Sequence, residues 1–298
     1  MNTHTKGKTL SEPTTPSMDL GHLEERATFV RRHIIEGAAA GGSGHLGPAM
    51  SCVEIMVALY YDYLKIDPSR PRWAERDRFV MGKGHGCAAL YPVLADLDFF
   101  STDELATFSQ LGSSLADHPN MNKNPGVDFS SGSLGHGLAI VSGWAEAARL
   151  QGYDSRSTVL LGDGELNEGQ IWEAAAYAAA RRLGSVLAIV DRNQVQVDGR
   201  TDEVLAFGSI EDKFASFGWN VETVDGHDLT ELRKAFARYD ERRADPEAAP
   251  TVLVAETVAG KGISFIEGLA EWHVGFLAGA DFDRAMNDVN SMYETRTA

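Results

Sequence analysis

Residues 157–193 (STVLLGDGELNEGQIWEAAAYAAARRLGSVLAIVDRN) constrain this chain more than any other stretch. A short apolar run at 158–161 stops at Gly162-Asp163-Gly164, and an Ala-rich segment of helical character follows. A second apolar run at 186–190 ends in Asp191-Arg192-Asn193. Strand, helix and strand in so short a span make a βαβ unit, with parallel strands and a right-handed crossover. Both strands then finish on one edge, which brings Asp163 and Asn193 together. Ligands of open α/β sheets bind at that carboxyl edge. A carboxylate beside an amide oxygen suits a hard cation, and the flanking glycines leave room for a ligand to approach. Read alone, the same residues are a strand-end Asp capping the next helix and an Asn in a turn.

The pattern recurs along the chain. An apolar run at 79–81 breaks into Gly82-Lys83-Gly84-His85-Gly86, and a continuous apolar run at 251–257 leads to Gly260-Lys261-Gly262. Continuous apolar character marks buried parallel strands. Amphipathic helices are expected at 20–39, with Leu23, Ala27, Val30, Ile34 and Ile35 on one face, and at 137–150. Further helices are expected at 209–218 and 228–243, around a strand at 220–224, and from about Asp281 onward. Ser51 with Glu54, and Ser101 with Glu104, read as capping boxes that open two more helices. Gly42-Ser43-Gly44-His45-Leu46-Gly47 has the form G-x-G-x-x-G, but no strand precedes it, so a dinucleotide site fails its context test. It reads instead as a loop that presents His45. Residues 117–135 lack periodicity, and so long a loop inside a compact domain is usually functional. A Cys87–His85 pair is rejected, because neighbours two apart at a helix start point away from each other. The expectation is one α/β domain over 19–298, a mostly parallel sheet with helices on both faces.

Composition narrows the function. A formal charge of -16 over 298 residues leaves no basic stripe for nucleic acid. Cys52 and Cys87 are too few for a disulfide scaffold and fit a reducing cytoplasm. No run approaches the roughly 18 apolar residues a membrane helix needs. Residues 1–18 are polar, with no apolar core of a signal peptide, and read as a disordered tail.

Taken together, SGHLGPA, RFVMGKGHG, HPN, PGVDFSSGSLGHGL, GDGELNEGQIWEA, DRNQVQVDG, GKGISFIEG and EWH, in that order, resemble the amino-terminal, diphosphate-binding domain of the transketolase family. The resemblance spans about residues 20–290 and implies the thiamine-diphosphate-binding fold. It implies that Asp163, Asn193 and the Val195 carbonyl hold Mg²⁺ or Ca²⁺ against the cofactor's diphosphate. Gly132, Leu134, Gly162 and Gly164 would line thiamine diphosphate, with His85, Lys261 and His273 near its diphosphate. Glu168 would lie at a subunit contact beside the cofactor, and His118 would meet the donor's hydroxyl. The implied chemistry is ketol transfer from a ketose to an aldose phosphate, in which the cofactor carries the difficult step. His45, His85, His118, His273 and Glu168 are the expected catalytic groups, histidine being suited to proton transfer near neutrality.

The resemblance also implies a partner. The family's second domain, which holds the pyrimidine ring and supplies a glutamate, has no counterpart in these residues. A separate carboxy-terminal subunit, in an α2β2 assembly, is therefore expected. Three departures touch the specificity region: His136 for a common glutamine, Asp117 for a glycine before His118, and Val274 for a glycine after Trp272-His273. A different acyl transferase or decarboxylating synthase is one alternative, although His118 and Trp272-His273 weigh against keto acids. A non-catalytic structural subunit is another, against which stand the retained Asp163, Asn193 and Glu168.

Overall fold

The computed structural model describes residues 18–293. Five strands form one sheet: β1 (Arg78–Met81), β2 (Ser157–Gly162), β3 (Val186–Arg192), β6 (Asn220–Asp225) and β7 (Thr251–Glu256). Their order is β1-β2-β3-β7-β6 and every neighbouring pair is parallel. A two-residue antiparallel ribbon, β4 (Val195–Gln196) with β5 (Gly199–Arg200), follows β3 directly.

Alternation along the strands divides the core into two layers. Leu160, Leu187, Ile189 and Leu253 pack on one face with the helices Leu20–Gly41, Val53–Ala58, Leu90–Asp96 and Leu229–Arg243. Val159, Leu161, Ala188, Val190 and Val254 pack on the other with Gly137–Gln151, Gly169–Ala180 and Ile210–Ser216. Because side chains two apart share a face, a run such as Val-Leu-Leu serves both layers at once. The expected doubly covered sheet is what forms. The expected tail at 1–18 lies outside the described residues except for Met18, whose N–H donates to Asp62 at 3.2 Å.

The βαβ unit is in register as expected, with Gly162 opposite Asp191 across β2 and β3. The capping boxes are only partly borne out. Ser51 does not open a helix; it ends Leu46–Ser51, and its hydroxyl donates to Asp191 at 2.6 Å, with the Pro48 carbonyl 3.0 Å away. Glu54 faces Arg31 at 2.7 Å, both side chains fully buried. A buried hydroxyl and carboxylate three apart mimic a cap while serving tertiary contacts. Ser101 does cap, accepting from the Asp103 N–H at 3.3 Å, but the element is the 3₁₀ turn Thr102–Thr107. Glu104 accepts from the Ser114 hydroxyl rather than turning back to Ser101.

Arg31 and Glu54 anchor the chain segment after β7. The Arg31 Nε donates to the Lys261 carbonyl at 3.1 Å. His227 accepts the Val258 N–H on Nε2 at 2.9 Å, so Nδ1 carries the proton that meets Glu54 at 2.9 Å. Burial alone would push the Glu54 carboxyl up; Arg31 and His227 outweigh it and hold it well below the usual carboxylate range.

Candidate active site

All five parallel strands end on the same edge, and three of them deliver the site. Beyond β1, Gly82 and Lys83 lead into the turn Gly84–Ala88, which carries His85. Beyond β2, Asp163 starts the turn Gly164–Asn167, its Oδ1 accepting from the Gly164 N–H at 2.9 Å. Beyond β3, the Gln194 N–H donates to Asp163 Oδ2 at 2.7 Å, which brings the residue after Asn193 against Asp163. Asn193 is clamped by its neighbours: Oδ1 accepts from the Val195 N–H at 3.0 Å and Nδ2 donates to the Ser51 hydroxyl at 3.2 Å. The juxtaposition expected from the βαβ unit is present.

These strand ends wall a cavity of about 580 Å³. His45, His85, His118 and His273, Gly132 and Leu134, Gly162 through Gly164, Asn193 and Val195 all line it. The histidines arrive from four separate segments. Ring centroids lie 5.3 Å apart for His45 and His85, 5.9 Å for His45 and His118, 5.9 Å for His45 and His273, and 5.4 Å for His85 and His273. His45 is thus the centre of the cluster. A hydrogen bond at 2.8 Å from the Gly275 N–H to the Gly44 carbonyl ties its loop to that of His273.

Two expected residues are not brought in. Lys261 does not line the cavity; its amine lies 3.6 Å from Glu267 and its carbonyl serves Arg31. The strand-to-glycine break at Gly260 is instead packed on the helix Leu46–Ser51, the Gly260 N–H donating to the Gly47 carbonyl at 3.0 Å. Glu168 is exposed outside the lining, at the start of the helix Gly169–Ala180 and against Gly135, where an added Cβ would come within 2.7 Å of Glu168 Cβ. His136 and Val274 are also exposed and do not line the cavity.

The cavity floor is a charged network that sequence reasoning missed. Lys83 and Asp191 form a fully buried ion pair. The Lys83 amine also donates to the Pro48 carbonyl at 2.9 Å and Ser51 Oγ at 3.3 Å, while the Thr257 hydroxyl donates to Asp191. Burial opposes the Lys83 charge, and Asp191 more than restores it. Lys83 lies in the same G-K-G-H break as His85, and Asp191 opens the run that ends in Asn193, so both were in view as letters. Glu165 is the other missed group, two residues past Asp163. Its buried carboxylate accepts from the Gly135 N–H at 2.8 Å and the Gly162 N–H at 3.1 Å, and burial pushes it up to about 7.

Asp191 is committed to Lys83, whereas the oxygens of Asp163 accept from the Gly164 and Gln194 N–H groups. Burial, and then the nearby charge of Asp191, push the Asp163 carboxyl up to about 6. The same burial acts on the histidines in the opposite sense. His45 is lowered, His85 lies far below its ordinary value, and His273 falls to about 4. These three imidazoles are neutral at pH 7, and can take a proton from a ligand or pass one on.

Several features fit a polar, phosphorylated ligand. Nδ1 of His45, Nδ1 of His273, Oδ1 of Asn167 and Oγ of Ser131 are buried without a hydrogen-bond partner. Glycine is required where the walls approach: a Cβ at Gly84 would lie 2.8 Å from the Gly132 N, and Gly132 itself has φ 152°. For a cation the available donors are oxygens, a carboxylate, an amide oxygen and a backbone carbonyl. Among the described residues no three His, Cys, Asp or Glu side chains group to hold a metal alone. A hard cation with such a set draws its remaining ligands from phosphate, so the residues fit Mg²⁺ with a diphosphate.

Residues 24–290 match the family description "Transketolase, thiamine diphosphate binding domain". This chain belongs to the transketolase family. It is 35% identical over 277 residues to one of the subunits of the apulose-4-phosphate transketolase of Phocaeicola vulgatus, covering 93% of this chain and 97% of that one. It is 39% identical over 251 residues to the 6-deoxy-6-sulfo-D-fructose transketolase subunit SqwG of a Clostridium species, covering 84% and 90%. Among solved structures, transketolase from Campylobacter jejuni superposes with a TM-score of 0.84 at 29% identity. That match covers 92% of this chain and 43% of that one, so this member spans less than half of the Campylobacter enzyme. No helix among the described residues is long and apolar enough to cross a membrane.

Proposed function

We propose that the chain is the diphosphate-binding half of a two-chain transketolase. In this reading it moves a two-carbon ketol unit from a ketose with an anionic end group to an aldose. The carrying observation is the cavity, which Asp163, Asn193 and Val195 at the strand ends line together with four histidines. Asp163, Asn193 and the Val195 carbonyl hold Mg²⁺ (or Ca²⁺) against the diphosphate, and Gly132, Leu134, Gly162 and Gly164 lie along the cofactor. When bound, thiamine diphosphate supplies the carbon nucleophile that carries the two-carbon unit. The chain's own residues do the rest. His85 and His273 flank the diphosphate end, and His45 and His118 meet the sugar's hydroxyl and carbonyl oxygens. The neutral imidazoles of His45 and His273 hold and return the protons that move there.

Three observations favour a partner chain. The relatives of matching length are named as subunits. Among the described residues Lys83 is the one lysine in the lining, and it is already paired with Asp191, so the anionic end of the sugar needs cations from elsewhere. The cavity rim carries Val197, Val204 and Leu205 at 66%, 44% and 53% exposure, with Glu168 exposed outside it, which suits a covering chain in an α2β2 assembly. Calorimetric titration with thiamine diphosphate, with and without Mg²⁺, tests the site. Binding that requires Mg²⁺ in the wild type and is lost in Asp163→Ala is expected, and unchanged binding in the variant refutes the assignment. A ketose-phosphate assay of the purified chain tests the division of labour. Turnover without a partner, comparable to a complete transketolase, refutes the two-chain reading.

A further inference from the structure

Ser51 joins the buried ion pair on the cavity floor to Asn193. Its hydroxyl has one proton to give and two lone pairs to fill. The proton goes to Asp191 Oδ2 at 2.6 Å, the charged and closer acceptor. The Pro48 carbonyl, 3.0 Å away, takes a proton from the Lys83 amine instead, at 2.9 Å. The lone pairs are filled by the Lys83 amine at 3.3 Å and by Asn193 Nδ2 at 3.2 Å. Ser51 is fully buried and Asn193 is 6% exposed, so water does not compete for these positions. With its proton committed, Ser51 can only accept from Asn193. The amide must therefore turn its nitrogen to Ser51 and its oxygen away, to the side where Oδ1 accepts from the Val195 N–H at 3.0 Å.

We propose that Ser51 is a positioning residue that acts through Asn193, fixing the amide so that its oxygen and not its nitrogen is offered to a cation in the cavity. An amide carries donors at one end and an acceptor at the other, and the two ends have nearly the same shape. Turned over, Asn193 would present N–H groups to a metal and repel it. Asp163 needs no such device, because both ends of a carboxylate are oxygens. Asn193 is held at both ends, the oxygen by the Val195 N–H and the nitrogen by Ser51, and Ser51 is held in turn by Asp191 and Lys83. The inference rests on the proposed function, in which Asn193 is a ligand of Mg²⁺. Loss of a residue that orients a metal ligand from behind weakens the metal by roughly 10–100-fold.

Two measurements test it, and the first needs no metal, cofactor or partner. The chain is labelled with ¹⁵N-asparagine, the Asn193 side-chain NH₂ pair is assigned by its loss in Asn193→Asp, and its exchange with water is followed. Slow exchange is expected in the wild type. Exchange should quicken about tenfold or more in Ser51→Ala, and also in Ser51→Cys, whose sulfur accepts poorly. A wild-type Asn193 NH₂ that exchanges as quickly as that of the exposed Asn122 overturns the proposal whether or not the variants fold. The second measurement is the Mg²⁺ concentration at which thiamine diphosphate binding is half complete, read by titration calorimetry. Ser51→Ala should raise it by about tenfold or more. In the Asn193→Asp background, where both ends of the side chain are oxygens, Ser51→Ala should leave it within about twofold, whereas a general loosening of the floor would weaken both backgrounds alike. Equal effects in the two backgrounds overturn the proposal. Mg²⁺ dependence lost in Asp163→Ala but untouched in Ser51→Ala refutes this inference alone; unchanged binding in Asp163→Ala refutes the site and this inference with it.

Discussion

Asp163 is a buried carboxylate that, in the proposed function, meets a cation only when the ligand binds, and the metal-free chain should be less stable for it. It is 9% exposed, beside the charge of Asp191, and its pKa rises from an ordinary 3.8 to about 6. That rise corresponds to roughly 3 kcal/mol of destabilisation once the group is ionised. The sign follows from proton counting. Between about pH 4 and 6 the folded chain holds a proton that the unfolded chain has released. Stability therefore falls as pH rises through this window, and the penalty is complete above it. Asp163→Asn removes the ionisation but leaves one oxygen to accept from both the Gly164 and Gln194 N–H groups, a loss of about 1 kcal/mol. The net expectation at pH 7.5 in EDTA is a gain of about 1–2 kcal/mol, or a melting temperature raised by about 2–5 °C. Thermal melts followed by circular dichroism read this directly, and a parallel set at pH 4.5 should show the gap closing. Adding Mg²⁺ and thiamine diphosphate should reverse the ranking, because ligand stabilises only the chain that binds it. A metal-free variant no more stable than wild type at pH 7.5 refutes the electrostatic argument.

Other perturbations have equally definite outcomes. Glu54→Gln strips a buried partner from Arg31 and should cost about 3–5 kcal/mol in urea unfolding. Because the Glu54 carboxyl is held below its ordinary range, the stability it supplies is present above about pH 4.5 and lost as pH falls, so the wild type alone should show this acid-side decline. Gly84→Ala drives a methyl group into the Gly132 N and Ser131 Oγ, each 2.8 Å from the added atom. It should destabilise by about 1–3 kcal/mol and weaken thiamine diphosphate binding, which titration calorimetry will show. Lys261→Ala should bind thiamine diphosphate as the wild type does, since the Lys261 side chain is outside the cavity; a tenfold loss of affinity would place that amine on the diphosphate after all.

What can be read from the letters alone divides along a physical line. The βαβ unit is legible because continuous apolar runs of strand length, ended by glycine, have few other uses. From it the meeting of Asp163 and Asn193 follows by topology, without any knowledge of side chains. Ser51 and Glu54 mislead because S-x-x-E is a local pattern, while both residues are committed to partners far away in sequence, Asp191 and Arg31. Lys83 escapes notice for the same reason. A lysine in a glycine-rich break is usually solvated, and only β3, two strands away across β2, brings Asp191 to neutralise it. Lys261 shows the converse: a matching motif carries the backbone path, whereas the direction of the amine depends on Glu267 and on the anchor to Arg31. The buried pairs explain how the site tolerates its own charges. Lys83 with Asp191 at the cavity, and Arg31 with Glu54 outside its lining, are neutral as pairs and hydrogen-bonded, so neither pair competes for a ligand. Asn167, His45 and His273 are left open, and Asp163 accepts from the Gly164 and Gln194 N–H groups. A fold that pairs the charges beside the cavity and leaves three of the atoms lining it unpartnered places unmet polar demand there. That is the physical basis for expecting an anionic, metal-chelating ligand there.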